Sequence, residues 1–214
     1  MISKLRKILM YDHDCAERKI DKQAYGYVWR KTPILDIGCG EGRFLELCDY
    51  NHSLGCDHSH KSLKICHDKG YNVVHVKLPY MNRIKTNFAG SVHLSHVIEH
   101  FTPNDALKLL QEIHRVLKPG GTLIIRTPLL TSGFYNDFTH VKPYNPQAIK
   151  RYLCGGKQLS GIAISDNYTV VAVKYRRGVL WHSENKISKL IASLLYKAGI
   201  MRRNGYMMVL KKNK

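Results

Sequence analysis

The short apolar run Pro33-Ile34-Leu35-Asp36-Ile37 contains one acid, Asp36, and is followed by three alternating glycines, Gly38, Gly40 and Gly42. Glycine tolerates positive φ and lets a ligand approach the main chain closely, so this pattern reads as a buried strand entering a tight ligand-binding turn. A second acid, Asp57, ends the next apolar segment 21 residues later. In open α/β sheets an acid at about that spacing accepts hydrogen bonds from ribose hydroxyls. The ligand so implied is nucleoside-like but not a dinucleotide. Arg43 stands where a G-x-G-x-x-G loop needs its third glycine, and the Asp36 carboxylate would repel a pyrophosphate and attract a cation. The plain alternatives are a glycine turn without a ligand and a polar strand end.

The stretch Leu35-Asp36-Ile37-Gly38-Cys39-Gly40-Glu41-Gly42, continued by Gly55-Cys56-Asp57-His58-Ser59, resembles the first motifs of the class I S-adenosylmethionine-dependent methyltransferases. That cofactor carries a sulfonium and an ammonium group and no phosphate. The resemblance covers roughly residues 30–150. It implies a Rossmann-like α/β fold: a seven-stranded, mainly parallel sheet with helices on both faces and a C-terminal antiparallel strand pair. It also implies S-adenosylmethionine held by Asp36, Gly38, Cys39, Gly40, Asp57, His58, Leu78, Ser95 and His96. Leu78 would pack on the adenine, and Ser95 and His96 would line the floor beside the methionine part. The acid that many relatives carry after the third strand is missing from His75-Val76-Lys77-Leu78-Pro79-Tyr80, which leaves the adenine amine to a backbone group.

Acceptor chemistry is expected in the long loop 127–146 after the fifth strand, because ligands in such sheets sit outside the carboxyl ends of the strands. The loop gathers Tyr135, Asp137, His140 and Tyr144. Its segment Asn136-Asp137-Phe138-Thr139-His140-Val141-Lys142-Pro143-Tyr144 resembles methyltransferases of sugar and cell-envelope pathways, which implies a small or carbohydrate-type acceptor. His140 is the candidate general base for a hydroxyl acceptor, with Asp137 orienting it. A loop-capping network built on the same residues is the structural alternative. Upstream, His96-x-x-Glu99-His100 matches the inverted zinc-protease pattern. That motif needs a helix, whereas Ser95-His96 ends a strand and Pro103 opens the next helix, so no metal is expected. Val97-Ile98-Glu99-His100 instead resembles methyltransferases related to quinone and small-molecule O-methylating enzymes.

These residues must be carried by alternating strands and helices. A helix starts at Phe44-Leu45-Glu46-Leu47. Strands are expected at 53–56, 71–76, 91–95 and 122–126, and a helix through His67 stops at Gly70. Residues 103–117 read as a helix with Thr102 as N-cap and Pro103 in its first turn. Lys118-Pro119-Gly120-Gly121 follows as a turn. Two late strands, 168–176 and 205–210, enclose an apolar stripe at helical spacing: Ile187, Leu190, Ile191, Leu194, Leu195 and Ala198. That stripe is expected to pack on the sheet or on a partner subunit, with a membrane-surface helix as the sharper alternative.

The chain of 214 residues fits one α/β domain, 1–214, in which 1–31 forms a helical lid and 177–204 a helical insertion between the last two strands. It holds no apolar run of membrane-spanning length. Six cysteines without a C-x-x-C pair read as reduced thiols in a cytoplasmic protein. The net charge of +18 is the least settled signal. It fits attraction to nucleic acid or another anionic surface, or simply a solvated basic face. A small-molecule acceptor is therefore weighed against RNA, and against a binding module that keeps the cofactor fold without catalysis. Oligomeric state is not fixed by the sequence.

Overall fold

The computed structural model describes residues 13–155, 165–177 and 203–214, together with 187, 190, 191, 194, 195 and 198. Its elements run α1 (His13–Tyr25), β1 (Ile34–Ile37), β2 (Ser53–Asp57), α2 (His60–Asp68), β3 (Val73–His75), β4 (Ala89–Ser95), α3 (Pro103–Val116), β5 (Leu117–Pro128), α4 (Pro146–Leu153), β6 (Tyr168–Arg177) and β7 (Arg203–Lys212). They build one seven-stranded sheet in the order β3-β2-β1-β4-β5-β7-β6. The first five strands are parallel, and β7 runs antiparallel between β5 and β6. The strand order reverses at β1, between β2 and β4, which is where such sheets open a crevice for a ligand.

Strand alternation divides the core. Leu35, Ile37, Val92, Leu94, Leu123, Ile125, Met208 and Leu210 face one side, where α3 and α4 pack through Leu109, Ile113, Ile149 and Leu153. The opposite face carries Ile34, Phe44, Ile124, Met207 and Val209 under Ala24 and Val28, at and just beyond the end of α1. Helix α3 shows why its sequence folds as it does. Thr102 caps it by accepting from the Asp105 amide at 3.3 Å, Pro103 fits the first turn, and Ala106, Leu109, Leu110, Ile113 and Val116 form one buried stripe. Each large side chain so buried stabilises the fold by roughly 1.5–3 kcal/mol. Leu109→Ala would cost about 2–5 kcal/mol because the site cannot collapse around the void.

Two expectations need correction. The helix expected from Phe44 is a single 3-10 turn, Leu45–Leu47. It is cut short because Cys48 is already extended and Asp49 starts a second turn by accepting from the Asn51 amide. The fifth strand is longer than 122–126: residues 118–121 lie within β5, with a register irregularity where it meets Ala89 and Ser91. Of the two covers expected for the apolar stripe in the last third, the sheet and a partner subunit, only the sheet is excluded. Ile187, Leu190, Ile191 and Leu194 are exposed, so the sheet does not cover them. The rest of the expected insertion, and residues 1–12 of the expected lid, lie outside the described residues.

Candidate active site

The glycine turn is anchored at both ends. The amides of Gly38 and Cys39 donate to the Cys56 carbonyl at 2.8 and 3.1 Å, which ties the turn to β2. Gly38 sits at φ +70, and a Cβ there would meet Val97 Cγ2 at 2.3 Å. Gly40, at φ +52, faces open space. Asp57 holds the turn from the other side: Oδ2 accepts from the Gly40 amide and Oδ1 from the Ser59 amide, each at 2.9 Å. His58 is mostly exposed, with Nδ1 at 3.3 Å from Asp57 Oδ1.

Behind the turn lies a polar stripe on an otherwise apolar sheet. Asp36 and His93 are register partners on β1 and β4, and His93 Nδ1 is 2.7 Å from Asp36 Oδ1. Phe44 stacks on the His93 ring at 3.8 Å. Burial pushes the Asp36 carboxyl up, and the His93 contact opposes that shift. Two buried polar atoms here find no partner among the described residues, His93 Nε2 and Ser95 Oγ. Both residues line a cavity of about 750 Å³ with Asp36, Gly38, Cys39 and Gly40. A nucleoside-like ligand with its own donors and acceptors fits that lining, because an orphaned buried polar atom is costly until something satisfies it. Asp57, His58, Leu78 and Asp137 are not among the lining residues. Leu78 packs partly buried against the main core.

The roof of the site is an ion-pair network that the sequence reading missed. Arg126 on β5 is buried and donates to Glu17 Oε2 at 2.5 Å and to Asp21 Oδ1, both on α1. Arg43 donates to Asp21 Oδ2 at 2.6 Å, and Arg176 on β6 to Glu17 Oε1 at 3.1 Å. For Glu17, burial would raise the carboxyl, but Arg126, His96 and Arg176 outweigh it and hold the pKa at about 2. The sequence signal was available: Arg126 falls at an inward position of an apolar strand, and such a charge needs partners. Beyond α1 a second cavity of about 660 Å³ is bordered by Lys19, Lys22, Lys174 and Arg176, and shares His96 with the first.

The strand-five loop folds over the same crevice. Phe134 and His140 line the larger cavity. His140 Nδ1 contacts the Phe134 carbonyl at 2.7 Å, and its Nε2 stands 3.8 Å from Asp137 Oδ2. Asp137 is turned mainly to Thr139, accepting from its amide at 2.9 Å and its hydroxyl at 2.6 Å, which holds the carboxyl below the usual range. The Phe134 carbonyl therefore fixes the His140 ring, and Asp137 caps the loop. Tyr144 is buried and donates to the Phe101 carbonyl at 3.1 Å, a structural role. Glu99, wholly buried on a 3-10 turn, accepts from Thr127 Oγ1 at 3.0 Å and lies 3.2 Å from His96 Nδ1. Burial would raise its carboxyl, but His96 and Thr127 outweigh this and hold it below the usual range.

A sheet that reverses order at β1, with a glycine turn and an acid-capped β2 at that point, defines an α/β protein built around a nucleoside-type cofactor. Residues 35–125 match the family model described as a methyltransferase domain. The fold agrees with that of a SAM-dependent methyltransferase from Archaeoglobus fulgidus, at TM-score 0.70 and 23% identity over 97% of each chain. Among curated proteins, the tRNA (carboxymethyluridine(34)-5-O)-methyltransferase of Arabidopsis thaliana is 31% identical over 63% of this chain and 33% of its own. The tRNA (carboxymethyluridine(34)-5-O)-methyltransferase ALKBH8 of Mus musculus is 30% identical over 43% of this chain and 14% of its own. The chain thus spans a third or less of the length of these relatives. Residues 35–125 therefore form a methyltransferase domain, which implies S-adenosylmethionine as the cofactor. No described helix is long and apolar enough to cross a membrane.

Proposed function

We propose that this domain transfers the methyl group of S-adenosylmethionine to an RNA acceptor of the tRNA type. The observation that carries the reading is the similarity to two proteins described as tRNA methyltransferases, in one case across 63% of this chain. The surface supports it. Phe138 is fully exposed and Tyr135 more than half exposed, and both belong to the loop whose Phe134 and His140 line the cofactor cavity. Exposed aromatic rings beside a reaction site suit unstacked bases, each stacked base contributing roughly 1–3 kcal/mol. The net charge of +18 supplies the sequence-independent attraction to phosphates. A small or carbohydrate-type acceptor, expected from the loop's resemblance alone, has no such support from the relatives.

S-adenosylmethionine supplies an electrophilic methyl on a good leaving group. The chain's own part is positioning and exclusion of water. The Gly38–Gly40 turn, held open by Asp57, offers main chain to the cofactor. Asp36 places negative charge at the cavity, and Ser95 and His93 offer unpartnered polar atoms there. Helix α1 acts as the lid. If the acceptor atom is a carboxylate oxygen, as the relatives' printed names describe for theirs, it is already ionised at neutral pH. His140 then needs no general-base role and serves to shape the acceptor site.

The test is methyl transfer from tritiated S-adenosylmethionine into a cell extract, fractionated into RNA, lipid, carbohydrate and protein. Label in the tRNA fraction, released by mild alkali if an ester has formed, is the expected outcome. Label confined to the carbohydrate or lipid fraction would overturn the RNA reading and restore the small-molecule one.

A further inference from the structure

We propose that Glu99, His100 and His140 form a binding site for a single divalent transition-metal ion of the zinc type, beside the cofactor cavity. One ligand-capable atom of each residue lies within 4.8 Å of those of the other two. Glu99 and His100 come from the 3-10 turn after β4, and His140 comes from the loop after β5, so the two halves meet only in the folded chain. The motif His96-x-x-Glu99-His100 offers no helix on which to ligate a metal. His140 supplies what the motif lacks.

The hydrogen bonds around the two rings select the ligating tautomer. His140 Nδ1 faces the Phe134 carbonyl at 2.7 Å, and a carbonyl only accepts, so Nδ1 carries the proton. His100 Nδ1 faces the Thr139 carbonyl at 3.1 Å and the Thr139 hydroxyl at 2.9 Å. That hydroxyl spends its one proton on Asp137 Oδ1 at 2.6 Å, so it must accept from His100, and Nδ1 again carries the proton. In each neutral ring the lone pair is then on Nε2. A ligating histidine whose other N–H is held by a backbone carbonyl is the usual arrangement behind a metal. Glu99 is fully buried, and its two oxygens, held by His96, Thr127 and its own amide, keep a lone pair for an ion.

Two imidazole nitrogens and one carboxylate oxygen suit zinc and neighbouring first-row ions better than calcium or magnesium, which prefer all-oxygen sets. At ligand distances of about 2.0–2.2 Å the donors must draw closer than they stand now. Three protein ligands leave a zinc ion one open position. His140 lines the cavity, so that position suits an anionic oxygen of the acceptor; this last step rests on the carboxylate acceptor proposed above, whereas the metal site does not.

The experiment is zinc titration by calorimetry on the full, untagged chain after chelator treatment, without RNA, repeated with cobalt(II) to read the ligand type. Expected are one zinc per chain, a cobalt spectrum without a thiolate charge-transfer band, and binding weakened by more than about 100-fold in His100→Ala and in His140→Ala. Both variants should keep the wild-type circular-dichroism spectrum and a cooperative thermal transition, which shows that they fold. Glu99→Gln, which keeps the shape and one acceptor oxygen, should weaken zinc similarly. No saturable zinc binding by the wild type, binding unchanged in the histidine variants, or a thiolate band would each overturn the site. Failure of tRNA methylation alone would leave these results standing and remove only the acceptor reading.

Discussion

His93 stands directly opposite Asp36 in the parallel β1–β4 register, and its Nδ1 lies 2.7 Å from the Asp36 carboxylate with Phe44 stacked on the imidazole. A buried acid next to a glycine turn is thereby kept in place by a neighbouring strand and by an aromatic lid. The pair sits where the cofactor cavity meets the sheet, so its charge can serve a cationic ligand. Asp36→Asn keeps the shape and removes that charge. Charge-assisted hydrogen bonds contribute about 1.5–3 kcal/mol. The variant should bind S-adenosylmethionine at least about tenfold more weakly, measured by calorimetry, while S-adenosylhomocysteine, which lacks the sulfonium charge, loses less. Equal losses for both ligands would show that Asp36 holds the turn and does not read the charge.

Glu17 ties α1 to β5 and β6 through Arg126 and Arg176, and its folded pKa of about 2 lies below the ordinary glutamate value of 4.5. A depressed carboxylate stabilises the fold fully above its unfolded pKa and stops doing so as pH falls through the folded one. The shift corresponds to on the order of 3 kcal/mol, present above pH 4.5 and lost between about 4.5 and about 2. Wild type and Glu17→Gln should therefore differ most in urea unfolding near neutral pH and converge towards pH 2. A difference that stays constant across that range would refute the ion-pair account.

Arg126 is the cation on which both α1 acids converge. Arg126→Met removes it and leaves Glu17 and Asp21 buried beside each other. Breaking a buried pair from one side typically costs about 3–5 kcal/mol. If α1 is the lid, the cost is localised: brief trypsin treatment should cut the variant at Lys19 and Lys22 well before the sheet opens, and S-adenosylmethionine should slow that cleavage in the wild type. Cleavage at the same rate in both proteins would show that α1 does not depend on Arg126.

Much of this was legible in the sequence because local rules decided it. Asp36 and the alternating glycines placed the tight turn after β1, Thr102 and Pro103 placed the start of α3, and β-branched runs placed the strands. What escaped was set by distant partners. Nothing within α1 reveals that Glu17 and Asp21 point at Arg126, more than 100 residues away. The helix expected after Phe44 failed because Asp49 and Asn51 form a competing local turn. The pairing of Asp36 with His93 was readable in principle, since Ser91, His93 and Ser95 alternate with Val92 and Leu94 along β4. Its partner, however, depends on register between strands. The acceptor loop yielded residue types but not roles, because Asp137 and His140 each found closer partners than one another.

Asp57 holds the glycine turn without lining the cavity. Both of its oxygens hold main-chain amides, of Gly40 and of Ser59. Asp57→Ala leaves the Gly40 amide without its acceptor and releases a turn already at positive φ. S-adenosylmethionine affinity should fall at least about tenfold, with only a modest change in melting temperature, because Asp57 sits at the rim of the core. Asp57→Asn, which keeps one acceptor oxygen, should fall between the two. Unchanged affinity in Asp57→Ala would mean that the turn keeps its shape without the tie and that the ribose lies elsewhere.

Phe138 separates an RNA acceptor from a small one. Its ring is fully exposed, so its removal leaves no cavity and should not lower stability measurably. A small acceptor seated inside the crevice would not reach it. An RNA base stacked on the ring would lose roughly 1–3 kcal/mol of contact, or about five- to 150-fold in affinity. Phe138→Ala should therefore raise KM for tRNA with little change in kcat and none in S-adenosylmethionine binding, and Tyr135→Ala should act the same way more weakly. The salt dependence should stay as steep in both variants as in the wild type, because stacking carries no counterions while the lysines and arginines still contact phosphate. If Phe138→Ala methylates tRNA with wild-type KM, the ring is not a stacking platform, and the exposed aromatics lose their place in the acceptor site.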